Sequence, residues 1–106
     1  MNIFRGDTFK FDFTSALEDG TLYKFETGDI VKVGIKSKLT SSKCALFKRI
    51  DVEEPTEVLH IEFSHDEMKK CCEGDKLLEV ELTRTNGDVI TLYQEKLTIV
   101  GDVINE

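Results

Sequence analysis

The residues with the most obvious chemical potential are His60, His65, Cys44, Cys71 and Cys72. A tetrahedral metal needs side chains that converge, and their spacing opposes that: there is no C-x-x-C, His60 has the outward parity of an alternating strand, and adjacent cysteines rarely reach one ion together. No metal or other cofactor is therefore expected. Lys69 and Lys70 precede Cys71 and would favour a thiolate, but neither a partner base nor an oxyanion hole is identifiable. The thiols are read as structural.

General acid-base chemistry would need paired carboxylates, and two groups qualify by proximity: Asp51, Glu53 and Glu54, and then Asp66 and Glu67. With 21 acids among 106 residues, such neighbours arise by chance. The first group also flanks Pro55, where solvated turn acids are ordinary. The glycines are isolated and mostly turn-like, so no phosphate-cradling loop is present; Gly34, inside a strand pattern, marks either a bulge or the close approach of another backbone. No catalytic residue is expected, and the chain is read as a non-enzyme.

Fourteen Lys and Arg against 21 Asp and Glu leave a formal charge of -7, which repels phosphate backbones and anionic lipid. Neither nucleic acid nor membrane is expected as a partner. The most basic stretch holds Lys32, Lys36, Lys38, Lys43, Lys48 and Arg49, and alternation sends these to a solvated strand face. No apolar run approaches the roughly 20 residues of a membrane span. "MNIFRGDTFKFDF" lacks the apolar core of a signal peptide, and an odd cysteine count argues against a secreted disulfide framework. Cytoplasmic synthesis with reduced thiols is the expectation.

These residues must be positioned by a mainly β framework. Phe9, Phe11 and Phe13 alternate with Lys10 and Asp12; Val31, Val33 and Ile35 alternate with Lys32, Gly34 and Lys36; Leu59, Ile61 and Phe63 alternate with His60 and Glu62. "LYKFE" from Leu22 and "CALFKRI" from Cys44 are read as further short strands, with a loop at Thr40, Ser41 and Ser42 between elements. Ser64 and Glu67 have capping-box spacing, predicting a helix from Asp66 to about Cys72 that ends near Gly74 and carries the chain from one sheet to the other. "KLLEVELTRT" and "DVITLYQEKLTIV" form a hairpin at Asn86-Gly87, read as a two-residue turn with both positions at positive φ. A bulge at Gln94 to Lys96 would let Leu92 and Leu97 share a core face. The expected fold of this single domain, residues 1–106, is an all-β antiparallel Ig-like sandwich of about seven strands with one short helix; a small barrel is its rival.

The order of these signals resembles the amino-terminal Ig-like domain of phage baseplate upper proteins and related small phage-tail or prophage proteins. Its marks are Arg5-Gly6-Asp7-Thr8 leading the first strand, Asp19-Gly20, then Val31, Val33 and Ile35. A polar helical turn ending in Gly follows in "SHDEMKKCCEGD", then Asn86-Gly87, Thr91-Leu92 and Leu97-Thr98-Ile99. The resemblance implies a noncatalytic structural module, virion-associated, whose partners are other tail or baseplate proteins or further copies of itself. An integrin-type role for "RGD" is rejected because the tripeptide leads into a strand; Gly6 is expected to make a turn there, with Asp7 pinning it.

Flat-face or edge packing is the expected mode of action, with Ile30, Lys32, Gly34, Lys36, Val89, Thr91 and Tyr93 as the candidate interaction residues, within the stretches Ile30 to Lys38 and Val89 to Leu97. The alternative is a carbohydrate-binding sandwich, which would require Phe4, Tyr23, Phe25, Phe47 and Tyr93 to supply an exposed aromatic platform.

Overall fold

The computed structural model describes residues 1–37, 44–71 and 73–101, apart from the side chains of Cys44 and Ala45. The expected loop at Thr40, Ser41 and Ser42, the cysteine Cys72 and the basic residues Lys38 and Lys43 lie outside the described residues. Among the described residues, seven strands and one helix follow in the order β1 (Asn2–Phe4), β2 (Phe9–Phe13), β3 (Ile30–Lys36), β4 (Cys44–Asp51), β5 (Leu59–Phe63), α1 (His65–Lys69), β6 (Gly74–Thr83) and β7 (Val89–Val100). They make a five-stranded sheet, ordered β1-β7-β6-β3-β4, and a two-stranded sheet of β2 and β5.

Alternation decides which side of the large sheet is dry. Val31, Val33 and Ile35 on β3 and Leu78, Val80 and Leu82 on β6 are buried, and the cross-strand register places Ile35 opposite Leu78, Val33 opposite Val80 and Val31 opposite Leu82. The small sheet supplies the lid: Phe9 faces Phe63, Phe11 faces Ile61 and Phe13 faces Leu59. Lys10, Glu62, Asp12 and His60 alternate with these and point to solvent.

The helix begins where its caps require. The Ser64 side chain accepts from the Glu67 backbone amide while the Glu67 carboxylate accepts from the Ser64 amide. It is shorter than the expected span to Cys72, because Lys70 and Cys71 already donate three residues back, to Glu67 and Met68. Met68 and Cys71 are buried while Lys69 and Lys70 remain exposed, and the helix does bridge the small sheet to the large one.

Four expectations are corrected. The large sheet is mixed rather than antiparallel, since β1 runs parallel to the last residues of β7. "LYKFE" is no strand: Leu22 and Phe25 make only isolated bridges, to Ala16 and Thr56, while Asn2–Phe4 takes the seventh place. The bulge falls where Val80 faces Tyr93 but Glu81 faces Thr91, leaving Leu92 as the extra residue in place of Gln94 to Lys96. Leu92 and Leu97 still both reach the core. At the hairpin, only Gly87 has positive φ, at 93°; Gly87 donates to the Arg84 carbonyl and Arg84 to that of Asp88. That is a three-residue loop with a left-handed glycine rather than a two-residue turn. Leu17 to Thr21 repeats it, with Gly20 donating to Leu17 and Leu17 to Thr21.

One buried acid organises the long β2–β3 connection. Asp29 is 2% exposed, and its carboxylate accepts from the Tyr23 hydroxyl and the Glu26 amide, both at 3.0 Å. Its own carbonyl accepts from Val52, which ties the connection to the chain beyond β4. Burial, and then the bond to Asp29, push the Tyr23 phenol above its ordinary value. Gly28 completes the turn at φ 96°, where a Cβ would stand 2.9 Å from the Thr85 methyl of the hairpin loop. Replacing Asp29 with Ala leaves a phenol and an amide without their acceptor, and is expected to lower stability in urea unfolding by about 2 kcal/mol or more; Tyr23→Phe, which removes one donor, is expected to cost about 1 kcal/mol.

Candidate functional site

The outward face of the large sheet carries most of the candidate interaction residues. Register sets Ile30, Thr83 and Val89 in one cross-strand row, Lys32, Glu81 and Thr91 in the next, and Gly34, Glu79 and Gln94 in the third. A fourth row is Lys36, Leu77 and Lys96. Although β6 separates β3 from β7, Ile30, Lys32, Gly34, Lys36, Val89 and Thr91 therefore share one face. Tyr93 does not. The extra residue at Leu92 reverses the parity of β7, so Tyr93 faces Val80 on the inward side, packs edge-on against Phe13 at 5.9 Å and donates to Glu95.

Gly34 is buried and opposite Phe47, and its φ is not positive. The irregularity in this region lies one residue further on, between Ile35 and Lys36. An exposed aromatic beside a glycine of the neighbouring strand is an arrangement in which the ring covers bare backbone.

The central charges of this face are paired. Lys36 Nζ lies 3.2 Å from Glu79 Oε1, and Gln94 Nε2 donates to Glu79 Oε2 at 2.8 Å. The Gln94 bond first, and then Lys36, hold the Glu79 carboxyl below its ordinary value of 4.5 against the opposing effect of burial. Arg49 pairs with Asp51 at the rim. Lys48 turns inward, its Nζ 5.2 Å from the centre of the Phe63 ring and 2.9 Å from Glu67, and it also donates to the Glu62 carbonyl. The described part of the basic stretch is thus distributed between two faces, with Lys36, Lys48 and Arg49 each bound to a carboxylate.

The residues considered for metal and acid-base chemistry are dispersed. His60 Nδ1 meets Asp12 Oδ1 at 2.6 Å on the outer face of the small sheet, His65 bonds the Gly6 carbonyl, and Cys71 is buried in the core. Among the described residues, no group of three or more His, Cys, Asp and Glu converges. Glu67 serves the helix cap, and Asp51 pairs with Arg49. The Arg5-Gly6-Asp7 segment is a turn: Asp7 donates to the Phe4 carbonyl, Gly6 has φ 88°, and Arg5 Nη2 donates to the Lys69 carbonyl at 2.8 Å. Arg5 thereby holds the carboxyl end of α1, where a cation also complements the helix dipole.

Sequence reading missed Asp29, one acid among many with no periodic signal. It also passed over the free edge of β2, next to which an open groove of about 250 Å³ runs between Phe9, Phe11 and Phe13 on one side and Leu78, Tyr93 and Glu95 on the other. No protein-family model, curated protein or solved structure matches the chain.

Because the Glu79 carboxyl is depressed, its contribution is fully present above pH 4.5 and is lost as pH falls through the lower, folded-state value. Glu79→Gln is expected to be less stable than the wild type at neutral pH, with the gap narrowing as pH falls from about 5 to about 3. Urea midpoints across that range measure it; a gap that widened would contradict the assignment.

Proposed function

We propose that this chain is a noncatalytic structural module of a phage or prophage tail or baseplate, of Ig-like sandwich type, which acts by protein-protein assembly. The observation that carries this reading is the outward face of the five-stranded sheet. It is broad and strand-built, its central lysine and glutamate are already paired, and Phe47 and Val89 stand exposed at 53% and 61% on it. Where the charges are already paired and apolar groups stand beside them, little is lost when water is removed by a partner. The similarity in motif order from Arg5-Gly6-Asp7-Thr8 to Leu97-Thr98-Ile99 supplies the phage context.

The carbohydrate alternative is less well supported. Phe4 lies on β1 and Phe47 on β4, the two outer strands of the large sheet, while Tyr93 faces inward and Tyr23 and Phe25 pack on each other at 5.0 Å. Sugar stacking needs such rings side by side on one exposed surface.

The test is Val89→Glu combined with Thr91→Glu, both at exposed positions where the expected stability change is within about 0.5 kcal/mol. Mixed with the tail and baseplate proteins of the genome that carries it, the wild type is expected to form a defined complex by sedimentation velocity. The double variant is expected to bind at least about tenfold more weakly. No complex with any of them, or one indifferent to these charges, would count against the reading.

A further inference from the structure

The two sheets are unequal, and the consequence falls on β2. Both β2 and β5 are edges of a two-stranded sheet. The β5 edge is obstructed at Glu62: Lys48 reaches across from β4, donates to the Glu62 carbonyl and pairs with Glu67. The β2 edge faces the open groove beside β7, and Phe11 is only half-buried there.

The outward turn of the Glu62 carbonyl also fixes the ladder's phase. In an antiparallel pair, facing residues alternate between exchanging both hydrogen bonds and pointing both groups away. Glu62 faces Lys10, so Lys10 and, two residues on, Asp12 direct their backbone N–H and C=O to the free edge. The strand Phe9-Lys10-Phe11-Asp12-Phe13 is self-complementary about its centre. When it is paired antiparallel with a second copy so that Phe11 faces Phe11, Lys10 faces Asp12 and Phe9 faces Phe13.

We infer that β2 is a homodimerisation edge: two copies join β2 to β2 antiparallel about Phe11, fusing their small sheets into one of four strands. Lys10 and Asp12 each exchange two backbone hydrogen bonds with their opposite numbers. Their side chains form two symmetry-related pairs of opposite charge across the junction. Outward from each junction, Glu62 follows Lys10 and His60 follows Asp12, so no carboxylate faces another along the row. Charged residues on an edge strand ordinarily deter pairing. In this register both charges become partners, whereas a shift of one residue would set phenylalanines against charges. The inference rests on the edge and its register, and stands whether or not the tail-module reading holds.

Sedimentation equilibrium of the full chain, from about 10 µM to about 1 mM at roughly 0.15 M salt, tests it. The mass is expected to rise with concentration from 12.1 kDa toward twice that value. Lys10→Asp and Asp12→Lys are each expected to weaken the dimer at least about tenfold by opposing like charges. An equimolar mixture of the two variants is expected to restore it, since each then supplies the sign the other needs; a general folding defect would not be repaired by mixing. A wild type monomeric throughout, single variants that dimerise like the wild type, or a mixture that stays monomeric would each overturn the inference. Where a charge variant does not fold, Phe11→Cys gives a second reading. Facing Cα atoms about 4.5 Å apart lie within disulfide reach, so oxidation should yield a dimer linked at that position, and its absence from the peptide map would equally overturn the pairing.

Discussion

Five strands whose inward faces are apolar have only two strands to cover them, and much of the architecture answers that deficit. Besides Val31, Val33, Ile35, Leu78, Val80 and Leu82 on β3 and β6, Leu46 on β4 and Leu97 and Ile99 on β7 are buried, so the dry face extends over more strands than the two that cover it. Phenylalanine supplies much of the missing area. Phe9, Phe13 and Phe63 cover more surface per residue than aliphatic side chains would, and Phe25 comes down from the β2–β3 connection to the same core. Met68 and Cys71 extend the cover from a helix too short to stand without tertiary contact. The turn at Glu26 to Asp29 has to be rigid for the same reason. A connection that contributes Phe25 to the core cannot stay loose, and the buried Asp29 carboxylate fixes it through two hydrogen bonds and a backbone tie to Val52.

Electrostatics follows the same division between roof and floor. A chain of charge -7 resists compaction weakly through self-repulsion, and two of its cations, Lys48 and Arg5, bind groups with a structural purpose. Lys48 joins β4 to the helix cap and to the β5 backbone; Arg5 joins the β1–β2 turn to the last turn of the helix. Exposed ion pairs of this kind contribute little individually. Their value lies in position: both bridge elements distant in sequence, and Lys48 ties the β5 edge of the small sheet to the large one.

Strand interiors were legible because their information is local. Phe9-Lys10-Phe11-Asp12-Phe13 and Leu59-His60-Ile61-Glu62-Phe63 state their period in five residues, and Ser64 with Glu67 states a helix start in four. Whatever depended on partners at long range was not. Asn2–Phe4 has too few residues to show a period, and its parallel pairing with Thr98 to Val100 is visible only in three dimensions. The bulge at Leu92 is set by the Val80 partner, so counting along β7 alone could place it only within a few residues. That error propagated to the candidate surface, because the parity of Tyr93 depends on which side of the bulge it stands. Asp29 was hidden for a different reason: in a chain so rich in acids, nothing local separates a buried carboxylate from a solvated one.

Edges carry the remaining consequence of unequal sheets. β1 is three residues long, too short to template a partner over much distance, and β5 is obstructed at Glu62 by Lys48. β2 has five residues, three aromatic rings and opposite charges placed symmetrically about its centre. A junction of that length can bury only a small area, so its affinity alone would be weak. Weak, register-specific pairing becomes strong when copies are held near one another, because a second contact between already tethered molecules is governed by effective concentration rather than by bulk concentration. A module held in an array through the broad face of its large sheet would meet that condition, its β2 edges linking neighbours only after docking. Such an edge stays unpaired in the free chain at low concentration and pairs within the assembly, a division of labour that one strong interface would not provide.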